Sequence, residues 1–239
     1  MLFPKNSIII GFLFCFASVV VAQKKPNTGA KSFFPQKNCV VLGVHFVYSN
    51  HTQHLILEDT PTLQIAGDYR DAGISQLGIG AQVGYKFARR VMLGVNAAYL
   101  WQPKYSSRSD TITATHWNVG LLARYYIAVG KRVDVYPEFS YGLGGTDQNH
   151  IYTNQAFGLN KPDTLKKTYP LLGTNGYVGA GIAYHISPNA TLDFSGHYHW
   201  SSESGTGRVR ISYFNYTGDV PAVLTRTGLA FRLGFHRFF

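Results

Sequence analysis

Apolar and polar positions alternate with a period of two through most of the chain. In residues 77–87, Leu77, Ile79, Ala81, Val83, Tyr85 and Phe87 share one face, opposite Gly78, Gly80, Gln82, Gly84 and Lys86. Such alternation is the mark of a strand with two unlike faces. It recurs in residues 40–48, 91–101, 115–129, 133–144, 177–186, 190–201 and 227–239, which makes eight predicted strands. In residues 115–129 the apolar set is Trp117, Val119, Leu121, Tyr125 and Ile127, against His116, Asn118, Gly120 and Arg124.

The connections between these strands alternate in length. Residues 88–90, 130–132 and 187–189 form tight turns, whereas residues 49–73, 102–113, 147–171 and 202–224 are long and polar. Short turns at one end and long loops at the other predict an all-β, antiparallel, up-and-down barrel that spans a membrane. Within two of the loops, residues 53–58 and 62–66 flank Asp59-Thr60-Pro61, and residues 208–216 face 222–227 across Thr217-Gly218-Asp219. These read as hairpins extending the barrel strands above the membrane, with two further membrane strands as the alternative.

Composition decides which face looks outward. The chain is 45% hydrophobic and 15% aromatic but only 14% charged, with 25 Gly, 16 Tyr and 16 Phe among 239 residues. The glycine-rich polar face is too small to solvate a surface, yet it carries Lys86, Arg124, Arg226 and Arg232 together with Asp134, Glu138 and Asp193. An eight-stranded barrel leaves an interior just wide enough for side chains, so these charges are expected to pair across it. His197 and His199 belong to the same inward network, and His45 and His116 are expected in the same outer half of the barrel. Aromatic residues gather at the ends of the apolar face: Tyr48, Tyr85, Phe87, Tyr99, Trp101, Trp117, Tyr198 and Trp200. Rings at those positions predict the two membrane-interface girdles. About ten residues per strand at roughly 3.4 Å each, tilted near 45°, cover the thickness of such a band.

The first 22 residues read as a secretory signal peptide, with Lys5 ahead of an apolar run and Val20-Val21-Ala22 offering small residues at the cleavage site. That run is short of the roughly 20 residues a helical span needs. Residues 23–38 read as a periplasmic arm, and 39–239 as the barrel domain. Cys39 is then the one cysteine of the mature chain, so no internal disulfide is expected. The net charge of +10, or +9 once Lys5 leaves with the signal peptide, suits contact of an exported chain with anionic lipid or polysaccharide better than nucleic acid.

The pattern resembles the small outer-membrane β-barrel families of diderm bacteria, the group of the OmpA transmembrane domain, OmpX and OmpW. The ending is similar to their assembly signal: Phe239 preceded by alternating Phe235, Leu233, Phe231 and Leu229, with a departure at Arg237. The resemblance implies residence in the outer membrane, both termini and the tight turns in the periplasm, and the long loops outside. It implies as partners membrane lipid, lipopolysaccharide and the outer-membrane assembly machinery. A protein partner could meet the extracellular loops or the periplasmic arm.

Neither catalytic residues, cofactor nor metal site is assigned from the sequence. The inward histidines could hold a metal or sense protons, or simply fill the polar interior. The segment His199-Trp200-Ser201 is faintly similar to the His-x-Ser pair of lipid A deacylases, but alternation turns both His199 and Ser201 away from lipid. Three functions stay open: a structural or surface-interaction barrel, a narrow channel for small solutes, and a component of a secretion or assembly complex.

Overall fold

A computed structural model describes residues 38–57, 67–88, 90–103, 105–106, 110–154, 163–211 and 216–239. The signal segment, the arm up to residue 37 and Arg89 lie outside the described residues. The strands are β1 (Cys39–Leu57), β2 (Gly67–Lys86), β3 (Val91–Trp101), β4 (Tyr105–Ser106), β5 (Asp110–Tyr125), β6 (Ile127–Ala128), β7 (Val133–Asn154), β8 (Asp163–Ser187), β9 (Ala190–Ile211) and β10 (Tyr216–Phe238). Eight of these are long, and each pairs antiparallel with its neighbours in the chain. β5 pairs with β7 and β1 with β10, which closes the ring. β4 and β6 are two-residue pieces on β5 and β7. Closure leaves no sheet edge along the strands in lipid, where an unpaired backbone group has no water to bond.

The faces fall as the alternation predicts. On β1, Val40, Leu42, Val44, Phe46 and Tyr48 are exposed while Val41, His45, Val47 and Ser49 are buried. Val44 and Phe46 are 61% and 71% exposed, a large apolar area for any surface in water, and the same holds around the ring.

Two local expectations are corrected. The first is the phase near the end of β5. Tyr126 interrupts the strand, its N–H donating to the Arg90 carbonyl at 2.7 Å. Arg124, Tyr126 and Ile127 are therefore all buried, and Ile127 does not join the outer apolar face.

The second concerns the polar connections. β1 and β2 remain paired up to Leu57 and Gly67, so residues 53–57 meet residues 67–71; residues 58–66 lie outside the described residues. β9 and β10 remain paired up to Ile211 and Tyr216, with Thr217 and Asp219 inside β10 opposite Arg210 and Arg208. The turn is therefore not at Thr217-Gly218-Asp219. β7 and β8 pair up to Asn154 and Asp163, within a stretch expected to be loop.

These extensions obey an inverted polarity. Past Tyr48 the outer positions of β1 are Asn50, Thr52, His54 and, near the tip, Ile56, and its buried positions end in Leu55 and Leu57. Leu171, Val220, Ala222 and Leu224 are buried as well. Where the surroundings are lipid the greasy face looks out; where they are water it looks in. The hairpins thus rise out of the membrane.

Candidate functional site in the barrel interior

The membrane-level interior carries two ion-paired layers with a small chamber between them. The lower layer centres on Arg124 of β5. It pairs with Glu138 directly across the ladder, its Nε donating at 2.6 Å. It also donates to Asp193 at 3.1 Å and to Gln82 Oε1 at 3.1 Å. Its guanidinium lies 4.2 Å from the Tyr136 ring centre. Glu138 accepts a second guanidinium, that of Arg232, at 3.0 Å, and lies 3.2 Å from His197 Nε2. Arg232 in turn donates to the Tyr177 hydroxyl at 2.7 Å and covers that ring at 3.9 Å. Asp193 is also held by His236, at 2.8 Å, and by the Thr191 hydroxyl, at 2.6 Å.

Below this, Asp134 meets His185 at 2.9 Å, and the Lys86 ammonium sits 4.6 Å from the Tyr126 ring centre. The upper layer joins Arg226 to Glu203, to the Thr146 hydroxyl at 2.6 Å and to His116 Nδ1 at 2.8 Å. His199 lies above the lower layer, its ring centre 5.7 Å from that of His51.

All nine lumen residues expected from the sequence therefore point inward, and most of them meet one another. Glu203, His185 and His236 complete the inward polar set. Glu203 stood in a segment read as loop, so only the extended β9 reveals it. His45 and His116 are not brought together: His45 stands opposite Gly80 and Gly234 beside the lower layer, whereas His116 joins the upper one.

Between the layers lies a chamber of about 40 Å³, bordered among others by Ser49, Asn118, Asn175, Tyr177, His199 and Arg232. Ser49 Oγ, Asn118 Oδ1, Asn175 Nδ2 and Arg232 Nε find no protein partner among the described residues. Polar walls and a volume sufficient for about three waters make this a wet chamber.

Glycines make room for the large polar side chains. A Cβ on Gly43 would collide with the His236 ring, one on Gly80 with His45, and one on Gly179 with His197. The outer face uses the same device. Gly145 and Gly176 are buried although they face outward, because the Trp117 and Trp200 rings fold over them. Tyr48, Tyr85, Phe87, Tyr99, Trp101, Trp117 and Tyr198 are exposed on the outer face, with Trp200 partly covered. Phe231, Leu233, Phe235 and Phe239 are exposed there too.

Ser201 is buried and accepts a hydrogen bond from Arg226 Nε at 3.2 Å. It is thus engaged inside the barrel, away from an acyl chain. No group of three metal-ligating side chains converges among the described residues.

The profile of the outer membrane protein beta-barrel domain matches residues 35–234. The chain belongs to that family. Among solved structures, OprG from Pseudomonas aeruginosa shares 12% identity at a TM-score of 0.50, over 87% of this chain and 99% of its own. Ail from Yersinia pestis shares 13% at 0.40, over 82% and 99%. The outer membrane protease OmpT from Escherichia coli shares 9% at 0.48, over 89% and 100%. Comparison with curated proteins finds no match. Family and fold together place this chain in the bacterial outer membrane as a barrel with short periplasmic turns and long extracellular hairpins.

Proposed function

We propose that this barrel works through its outside, as a structural and surface-interaction protein of the outer membrane without catalytic activity. The observation that carries this reading is the filled lumen. Arg124, Glu138, Asp193 and Arg232 bridge β5, β7, β9 and β10 at one level, and Arg226, Glu203 and His116 bridge the bore again at another. Leu55, Leu171 and Leu224 fill the interior of the extracellular hairpins beyond them. A bore crossed twice by side chains leaves no path for a solute. What remains to offer the surroundings is the outer wall and the hairpin ends.

On that wall, Ser202, Ser204 and Thr206 follow Trp200 outward along β9, and Arg208 lies beyond them. This order of ring, hydroxyls and cation suits lipopolysaccharide, with acyl chains below and sugar and phosphate groups above. The outward Phe231, Leu233, Phe235 and Phe239 suit engagement by the assembly machinery during insertion.

The test is conductance of the purified protein in a planar bilayer. The reading expects no stable ohmic steps. Reproducible steps from the unaltered protein would overturn it in favour of a narrow channel, the alternative that the wet chamber supports. The residue 23–38 arm as a docking element of a larger complex is tested separately: a defined complex would co-purify with the full chain and be lost on deletion of those residues.

A further inference from the structure

At the periplasmic end the exposed charged side chains among the described residues have one sign. Arg90 in the β2–β3 turn, Lys131 and Arg132 in the turn before β7, and Arg237 near the end of β10 are all exposed. The acidic side chains described in this half of the barrel, Asp134, Glu138 and Asp193, are buried in the lumen. Because the carboxylate side chains described there lie inside, the exposed charged side chains among the described residues of the rim are all cationic.

The placement of these cations is also informative. Arg90 donates to the Tyr125 hydroxyl at 3.5 Å, and the Arg237 guanidinium lies 5.1 Å from the Phe239 ring centre. Rings of this kind mark the boundary between hydrocarbon and water, so both guanidinium groups stand at headgroup depth. Arg90 and the next turn also form one arc, joined through Tyr126, whose N–H bonds the Arg90 carbonyl and which leads directly into β6. The other end of the barrel is mixed in sign: Arg208 stands 3.5 Å from Asp219.

We propose that this rim is a binding surface for anionic phospholipid headgroups of the periplasmic leaflet. Arg90, Lys131 and Arg237 hold the phosphodiesters while the neighbouring rings take the glycerol region. A guanidinium presents a planar fork of donors that matches a phosphate, and a basic group at a membrane surface favours anionic over neutral lipid. The proposal needs the barrel and its orientation, and is independent of whether the lumen conducts.

The experiment uses the full chain in phosphatidylcholine vesicles carrying spin-labelled phosphatidylglycerol or spin-labelled phosphatidylcholine, read by electron spin resonance as relative association with the protein. Phosphatidylglycerol should be preferred roughly two- to fivefold at low salt. The preference should collapse at about 1 M salt, where charges are screened within a few ångströms. It should also collapse in an Arg90→Gln/Lys131→Gln/Arg237→Gln variant and survive in an Arg70→Gln variant altered at the opposite end. Heat-dependent gel migration checks that both variants are folded, and the salt series on the unaltered protein stands without them. Equal association of the two lipids overturns the proposal. So does a preference that the rim variant keeps and the opposite-end variant loses.

Discussion

Arg124 and Glu138 occupy paired positions on β5 and β7, and the guanidinium extends past its partner to Asp193 on β9, 3.1 Å away. One buried cation is shared between two carboxylates, one on the neighbouring strand β7 and one on β9 across the bore. Removing it leaves Glu138 with Arg232 as its remaining guanidinium and Asp193 with His236 and the Thr191 hydroxyl alone. Arg124→Ala should therefore cost about 3–5 kcal/mol of unfolding free energy in detergent. The double change Arg124→Ala/Glu138→Ala should cost less than the sum of the single changes, because the two residues share one interaction. Equilibrium urea unfolding followed by heat-dependent gel migration reads both, and strict additivity would count against a shared layer.

The fit between glycines and large inward side chains gives a second expectation. Gly43→Val drives its new carbons into the His236 ring, and the nearby backbone of a closed barrel cannot withdraw. Gly130→Ala, in a tight turn, meets only Val133 Cβ at 3.9 Å. The first should destabilise by about 1–3 kcal/mol, the usual range for overpacking, and the second by well under 1 kcal/mol, as surface changes do. Comparable losses for the two, in the same unfolding assay, would show that Gly43 is not a socket.

On the outer wall, Trp200 rests on Gly176. A Gly176→Ala change should lift the indole off the sheet. With Trp101 and Trp117 replaced by Phe to isolate its emission, Trp200 fluorescence should become more open to aqueous iodide quenching. An unchanged quenching constant would mean that the ring does not need the glycine.

The barrel was legible because its membrane-level strands repeat one pattern with little interruption. The nine inward polar residues could be read from phase alone, since a strand sends alternate side chains to opposite faces. Which of them would touch could not be read, because contact depends on the stagger between strands. Arg124 meets Glu138 by register, yet its bond to Asp193 crosses the lumen. The hairpins were harder for a different reason. Above the girdle the solvent changes, so Leu55, Leu57 and Leu224 belong to the inward face while Asn50 and Thr52 look out; a reading that seeks greasy outer positions takes such segments for loops. At Tyr126 a single irregular residue changes the phase, and Ile127 goes to the interior where strict alternation would expose it.

The central claim is that the apolar flank of each membrane-level strand faces acyl chains and the charged flank faces inward. Spin labels placed one at a time at residues 40–48 of β1, with the protein in lipid bilayers, test it most directly through collision with oxygen and with a water-soluble nickel chelate. Labels at Leu42, Val44 and Phe46 should collide strongly with oxygen and weakly with nickel, and those at Gly43, His45 and Val47 weakly with both. Strong nickel collisions at Val44 and Phe46 would put water where lipid is required and contradict the account.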